Sequence, residues 1–218
     1  MNSHRQRRAS AGQGGADIPD ITRIASARNN GNGGSITVPG TVEAGDLCLI
    51  VHVSDSSSGE TKPSGFISIG TDGQTSANEI GAYKIWTGSE GSTLSGLNGQ
   101  AWCAVWYRYV DQTTPMDVSP QKTTNSISGS IDPPAITTIT NNCQIVTMGA
   151  LDDDDVTFGA PSGYTSIVQQ NANNNGTAGI MERNALLSPA GFHNPPAWSS
   201  GSDAAGEYTI ALRPANGG

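Results

Sequence analysis

Residues 46–54 read DLCLIVHVS and residues 101–110 read AWCAVWYRYV. In the first run Leu47, Leu49, Val51 and Val53 fall on one side of an extended chain, and Cys48, Ile50 and His52 fall on the other. Both sides are mostly apolar, as in a central strand covered on both faces. The second run is short and rich in Trp, Tyr and Val, which favours strand over helix. Working outward, strands are expected at 21–27, 35–40, 66–70, 79–86, 143–150, 164–169, 178–184 and 206–213. Segment 111–140 is punctuated by Pro115, Pro120, Pro133 and Pro134 and is expected to cross an edge or end of the fold. No long stretch carries a 3.6-residue period, so almost no helix is expected.

The composition agrees. Among 218 residues there are 28 Gly and 12 Pro, and only 14% are charged. A disordered chain would carry more charge, and a coiled coil more Glu, Lys and Leu. No apolar run is long enough for a membrane-spanning helix, so membrane insertion is not expected. The net charge of −8 would repel a phosphate backbone, so nucleic acid is not an expected partner. Arg5, Arg7 and Arg8 cluster near the start, in a stretch with almost no large apolar side chain. Residues 1–17 therefore read as a flexible basic arm able to touch an acidic partner, ahead of one sandwich domain over 18–218. No apolar segment follows MNSHRQRR, which points to synthesis in a cytoplasm without a signal peptide. Cys48, Cys103 and Cys143 form no CxxC pair and read as buried free thiols.

The chain repeats itself. PSGF stands at 63–66 and PSGY at 161–164, and at the same separation AYKIW (82–86) lies over IMERN (180–184). Arg108 and Arg213 each follow a closing apolar strand. Two halves, about 40–111 and 136–214, are expected to form one core, an all-β, two-sheet antiparallel β-sandwich of jelly-roll type.

The order of these motifs resembles that of phage and prophage virion proteins with lectin-like β-sandwiches. The matching residues are Gly45–Asp46, Pro63–Gly65–Phe66, Tyr107–Arg108–Val110–Asp111, Pro115 and Leu212–Arg213–Pro214. Tyr109 stands where that pattern usually has Gly. The resemblance spans roughly residues 40–214. It implies a structural role on a capsid or tail, without enzymatic activity.

The residues themselves offer few chemical candidates. His4 lies in the arm, His52 in a buried strand and His193 in a loop. HExxH, GxSxG and phosphate-loop patterns are missing. Asp152, Asp153, Asp154 and Asp155 form an acidic run whose mutual repulsion a Ca²⁺ ion would relieve, though without EF-hand spacing. Glu79, Glu182 and Glu207 lie on or beside strands and are the carboxylates a glycosidase would need in pairs. Trp86, at a strand end, and Trp198, in a Pro/Ser/Gly loop, are placed to stack a sugar ring or a partner surface. The loop NANNNG at 171–176 is a further place for such contacts.

The expected role is a non-enzymatic virion structural protein: a capsid decoration or cement, or a head or tail fibre component. Its expected partners are other virion proteins and further copies of itself in the particle, with no cofactor. The alternative is a carbohydrate-binding adhesin of a phage tail or fibre, recognising a cell-surface glycan.

Overall fold

A computed structural model describes residues 19–29, 34–54, 62–73, 78–97, 100–152, 156–172, 176–201 and 203–215. The arm expected over 1–17, with Arg5, Arg7 and Arg8, lies outside the described residues. In chain order the strands are β1 (Thr22–Arg28), β2 (Gly34–Thr37), β3 (Leu47–Ser54), β4 (Ile67–Gly73), β5 (Asn78–Ile85), β6 (Thr93–Leu97) and β7 (Ala101–Arg108). There follow β8 (Gln121–Gly129), β9 (Ile136–Thr137), β10 (Gln144–Leu151), β11 (Tyr164–Asn171), β12 (Thr177–Arg183), β13 (Phe192–His193) and β14 (Asp203–Leu212). The described residues contain no helix.

Two five-stranded antiparallel sheets form a sandwich. One has the order β1-β7-β3-β5-β4 and the other β8-β14-β10-β12-β11. Renumbering the second seven strands as the first seven makes these orders identical. The small ladders obey the same rule, since β2 pairs with β6 and β9 with β13. Each large sheet is thus drawn from one half of the chain, and the β7–β8 connection passes between them.

The stacking of the sheets is also regular. β3 lies over β10, β7 over β12 and β1 over β11. On the other side Gly81 of β5 meets Met148 and Tyr208, and Gly70 of β4 meets Lys122 of β8. A pseudo-twofold axis therefore runs between β3 and β10, as in an isologous dimer. Both halves carry the same bulge: the ladder skips Ile69 between Ser68 and Gly70, and Ile167 between Ser166 and Val168. Both P-S-G turns have the same geometry. Gly65 and Gly163 sit at φ 81° and 82°, and the Phe66 and Tyr164 amides donate to the Pro63 and Pro161 carbonyls.

Alternation along the two axial strands builds the layers. Leu47, Leu49, Val51 and Val53 meet Val146, Met148 and Ala150 between the sheets. The opposite face of the first sheet, with Cys48, Ile50, Trp102 and Trp106, is buried under Ile36, Leu94 and Leu97 of the β2–β6 ladder. The outer face of the second sheet is covered by Ile131, Phe158 and Trp198. Both sheets are therefore apolar on two faces, which is why the strand runs are nearly continuous in hydrophobicity.

Two expectations need correction. AYKIW does not lie over IMERN in equal register. Leu49 faces Tyr83, and its counterpart Val146 faces Glu182, so Tyr83 corresponds to Glu182 and not to Met181. The loop 172–176 is one residue longer than 74–77, and a one-residue slip would turn every side chain to the other face. The proline-rich stretch 111–140, expected as a crossing segment, also holds β8, an edge strand paired to β14. Its sequence QKTTNSISG carries no apolar face, so only backbone pairing reveals it.

Candidate functional site

The cleft with the most varied chemistry lies where the first P-S-G turn, the end of β5 and β6 converge. Its volume is about 160 Å³. The local sequence explains its shape. Gly65 supplies the positive φ of the turn and leaves room for the Lys84 side chain, since a Cβ there would sit 3.3 Å from Lys84 Nζ. Lys84, one residue before the end of β5, lies on the outer face opposite Cys48. Past the strand, Thr87 and Glu90 close a small ring: the Thr87 amide donates to both Glu90 carboxylate oxygens at 3.0 and 3.1 Å, and the Thr87 hydroxyl donates at 2.9 Å. This fixes Glu90 beneath Lys84, whose Nζ lies 2.9 Å from Glu90 Oε1.

Phe66, Trp86 and Leu94 floor the cleft with apolar surface, and the hydroxyls of Ser64, Thr93 and Ser95 rim it. The Lys84 ammonium stands 5.7 Å from the Trp86 ring centroid. Burial alone would raise the Glu90 pKa, but the hydrogen bonds from Lys84 and Thr87 outweigh it and hold the group at about 2. The site therefore carries a fixed anion and a cation side by side.

The corresponding place in the second half is built from different contacts. There Tyr164 replaces Phe66, Arg183 replaces Lys84, and β13 replaces β6. The Tyr164 hydroxyl reaches across to His193 Nε2 at 2.7 Å. Arg183 turns to the Ala185 and Leu186 carbonyls. The hydroxyl that Phe66 lacks is the one that bridges the gap in the other half. Burial lowers the pKa of His193 and raises that of Tyr164.

The residues singled out from sequence distribute as follows. Trp86 belongs to the cleft, but as floor: the residue is 4% exposed and its ring packs edge-on against Trp106 at 6.1 Å. The stacking platform expected of it is therefore corrected to an apolar base. Trp198 is corrected more fully. It is buried against Phe158 and the second sheet, so no ring face is open to a sugar. Asp152 pairs its amide with the Ala204 carbonyl, while Asp153, Asp154 and Asp155 lie outside the described residues. Among the described residues no group of three or more His, Cys, Asp or Glu could hold a metal ion. Of the loop 171–176, residues 173–175 also lie outside the described residues, as does His4.

The three glutamates are not brought together. Glu79 points between the sheets toward Gly206, where a Cβ would collide with its carboxylate. Glu207, the next residue, faces the outer side and accepts the Asp132 amide at 2.9 Å. Glu182 accepts the Tyr107 hydroxyl at 2.9 Å and pairs with Arg23 at 3.1 Å. His52 stacks on Trp102 at 4.3 Å, and burial lowers its pKa to about 3. The cysteines are free and buried in three different clusters.

Sequence reading missed Lys84 and Glu90. The available sign was T-x-x-E at 87–90, a spacing that lets a carboxylate return to the Thr amide. A larger groove of about 420 Å³ runs between Ile67, Tyr83, Met116 and Val118. Its one carboxylate, Asp117, is already engaged by the Ile139 and Thr140 amides and by Arg213. Compared with protein-family models, curated proteins and solved structures, the chain matches none.

Proposed function

We propose that the chain is a non-enzymatic structural protein at the surface of a phage particle, as a capsid decoration or as a fibre component. The observation that supports this reading is where its motif residues go. Gly45 takes φ 93° ahead of β3, and Asp46 forks with Arg108. The Pro115 carbonyl accepts the Arg213 amide, and Pro214 bridges to Val110. The motifs by which the sequence resembles virion sandwiches are thus spent on building a rigid scaffold. A doubled sandwich, cored on both faces of each sheet, suits an exposed part that must survive outside a cell. Other virion proteins and further copies of the chain are its proposed partners.

The test is composition. Particles banded on a density gradient from a culture carrying the gene should contain the chain at a fixed ratio to the main shell protein. Its absence from banded particles, with the chain present in the lysate, would overturn the reading. A second reading, a carbohydrate-binding module on the same particle, is favoured by the cleft at Lys84 and Glu90.

A further inference from the structure

We propose that the cleft between the first P-S-G turn and β6 binds a single neutral sugar ring, with Lys84 and Glu90 as its polar anchors. The inference rests on the carbohydrate-binding reading and names its site and ligand class. Three observations carry it. The first is size. At about 160 Å³ the cleft is smaller than the roughly 300–1,000 Å³ of ordinary small-molecule pockets, so it takes one ring or the end of a chain.

The second is charge. Lys84 and Glu90 are 20% and 11% exposed and neutralise each other. An anionic ligand would bring its charge against Glu90, and a cationic one against Lys84. A sugar hydroxyl both donates and accepts, so vicinal hydroxyls can bridge the carboxylate and the ammonium without net charge. Ser64, Thr93 and Ser95 offer further hydroxyl partners at the rim, while Phe66 and Leu94 give an apolar floor for the C–H face.

The third is asymmetry within a symmetric molecule. In the second half the same position is bridged by the Tyr164–His193 hydrogen bond, and Arg183 donates to the Ala185 and Leu186 carbonyls. In the first half Lys84 and Glu90 instead line the cleft side by side.

The experiment uses the full chain and two-dimensional NMR titration with methyl glycosides of glucose, galactose, mannose and N-acetylglucosamine, with methyl glucuronide as the charged control. At least one neutral glycoside should shift the Trp86 indole and the Thr87–Ser95 amides, and glucuronide should bind more weakly. Glu90→Gln and Lys84→Met should each weaken that binding about tenfold or more. If those variants lose the fold, Ser95→Trp, at an exposed rim position, should block binding while leaving the spectrum of the sandwich intact. Binding that shifts other amides and survives Ser95→Trp would overturn the site but leave the carbohydrate-binding reading standing. No shift with any neutral glycoside, together with no binding on an array of longer glycans, would overturn both.

Discussion

The Arg108 guanidinium and the Asp46 carboxylate form a two-point fork, Nε to Oδ1 at 2.8 Å and Nη2 to Oδ2 at 2.9 Å. It ties the end of β7 to the entry of β3. Asp46 is 1% exposed and also accepts the Glu43 amide at 2.8 Å. The side-chain hydrogen bond to Asp46 is the main reason the Arg108 pKa is raised. The second half repeats the device from a different place in sequence. Arg213, just past β14, lies 3.8 Å from Asp117, which accepts the Ile139 and Thr140 amides.

Asp46→Ala should therefore cost about 1–3 kcal/mol, because it leaves the Glu43 amide without its acceptor and Arg108 with only the Thr41 carbonyl and the Glu43 carboxylate. Arg213→Met should cost less, since its contact with Asp117 is longer. Urea unfolding of both variants checks this. Equal losses would mean that the fork geometry contributes nothing beyond charge.

Tyr109 follows the fork and has φ 65°, a conformation that favours glycine. Its carbonyl accepts the Ala215 amide at 2.9 Å, so the local path is held. Its side chain is 37% exposed and gives up little packing. Tyr109→Gly should relieve strain of about 1–2 kcal/mol, partly offset by the greater freedom of glycine in the unfolded chain. The expected net gain is up to about 1 kcal/mol, read as a raised thermal midpoint. A clear fall in midpoint would show that the tyrosine ring contributes more than its exposure implies.

How far the sequence led depends on where side chains point. β3, β7 and β10 were legible because both faces of a short run are mostly apolar. The equal turns were legible because Gly65 and Gly163 are fixed by φ. β6, β8, β9 and β13 were not, since TLSGL, QKTTNSISG and two-residue ladders present weak or no alternation. The cleft was half legible: Trp86 was singled out for its ring, but its partners Lys84 and Glu90 meet only through the fold of 84–90. Trp198 misled because Pro and Ser neighbours mark a loop, and this loop packs inward.

Acid should destabilise the protein through His52. Burial lowers its pKa from 6.5 to about 3, so the unfolded chain binds this proton more readily than the native one. Stability is then lost as pH falls from about 6.5 toward 3, with a slope of at most about 1.4 kcal/mol per pH unit from this group. The Glu90 pKa is lowered from 4.5 to about 2, so its contribution is lost only below about 4.5. Between pH 6.5 and 4.5 the histidines dominate these shifts, and His193 acts with the same sign. Urea midpoints measured across that window should flatten in His52→Leu, whatever its absolute stability. An unchanged slope would remove His52 as the source.

The thiols should be inert in the native state. Burial is the largest cause raising all three, with Cys103 and Cys143 pushed up to about 12. A thiolate is the reactive form, so it is almost absent at pH 8. Iodoacetamide should label none of them in native protein and all three in urea, as counted by intact mass. Rapid native labelling at any one would show that its strand opens.

Trp198 rests on a floor of two glycines that face each other across the β10–β12 ladder, Gly149 and Gly179. A Cβ at Gly149 would lie 2.9 Å from the Trp198 ring and 2.8 Å from Ile131, and one at Gly179 would lie 2.7 Å from Phe158. The Trp198 amide donates to the Ile131 carbonyl at 2.8 Å, which fixes the ring over that floor. Trp198→Ala should cost about 3–5 kcal/mol through the cavity it leaves. Gly149→Ala should cost about 1–3 kcal/mol through overpacking. In the double variant the new methyl enters the space the indole vacated, so the combined loss should fall short of the sum by about 1 kcal/mol or more. Urea unfolding of the four proteins closes the cycle. Simple additivity would mean that Ile131 alone sets the limit at Gly149 and that the indole is not seated on it.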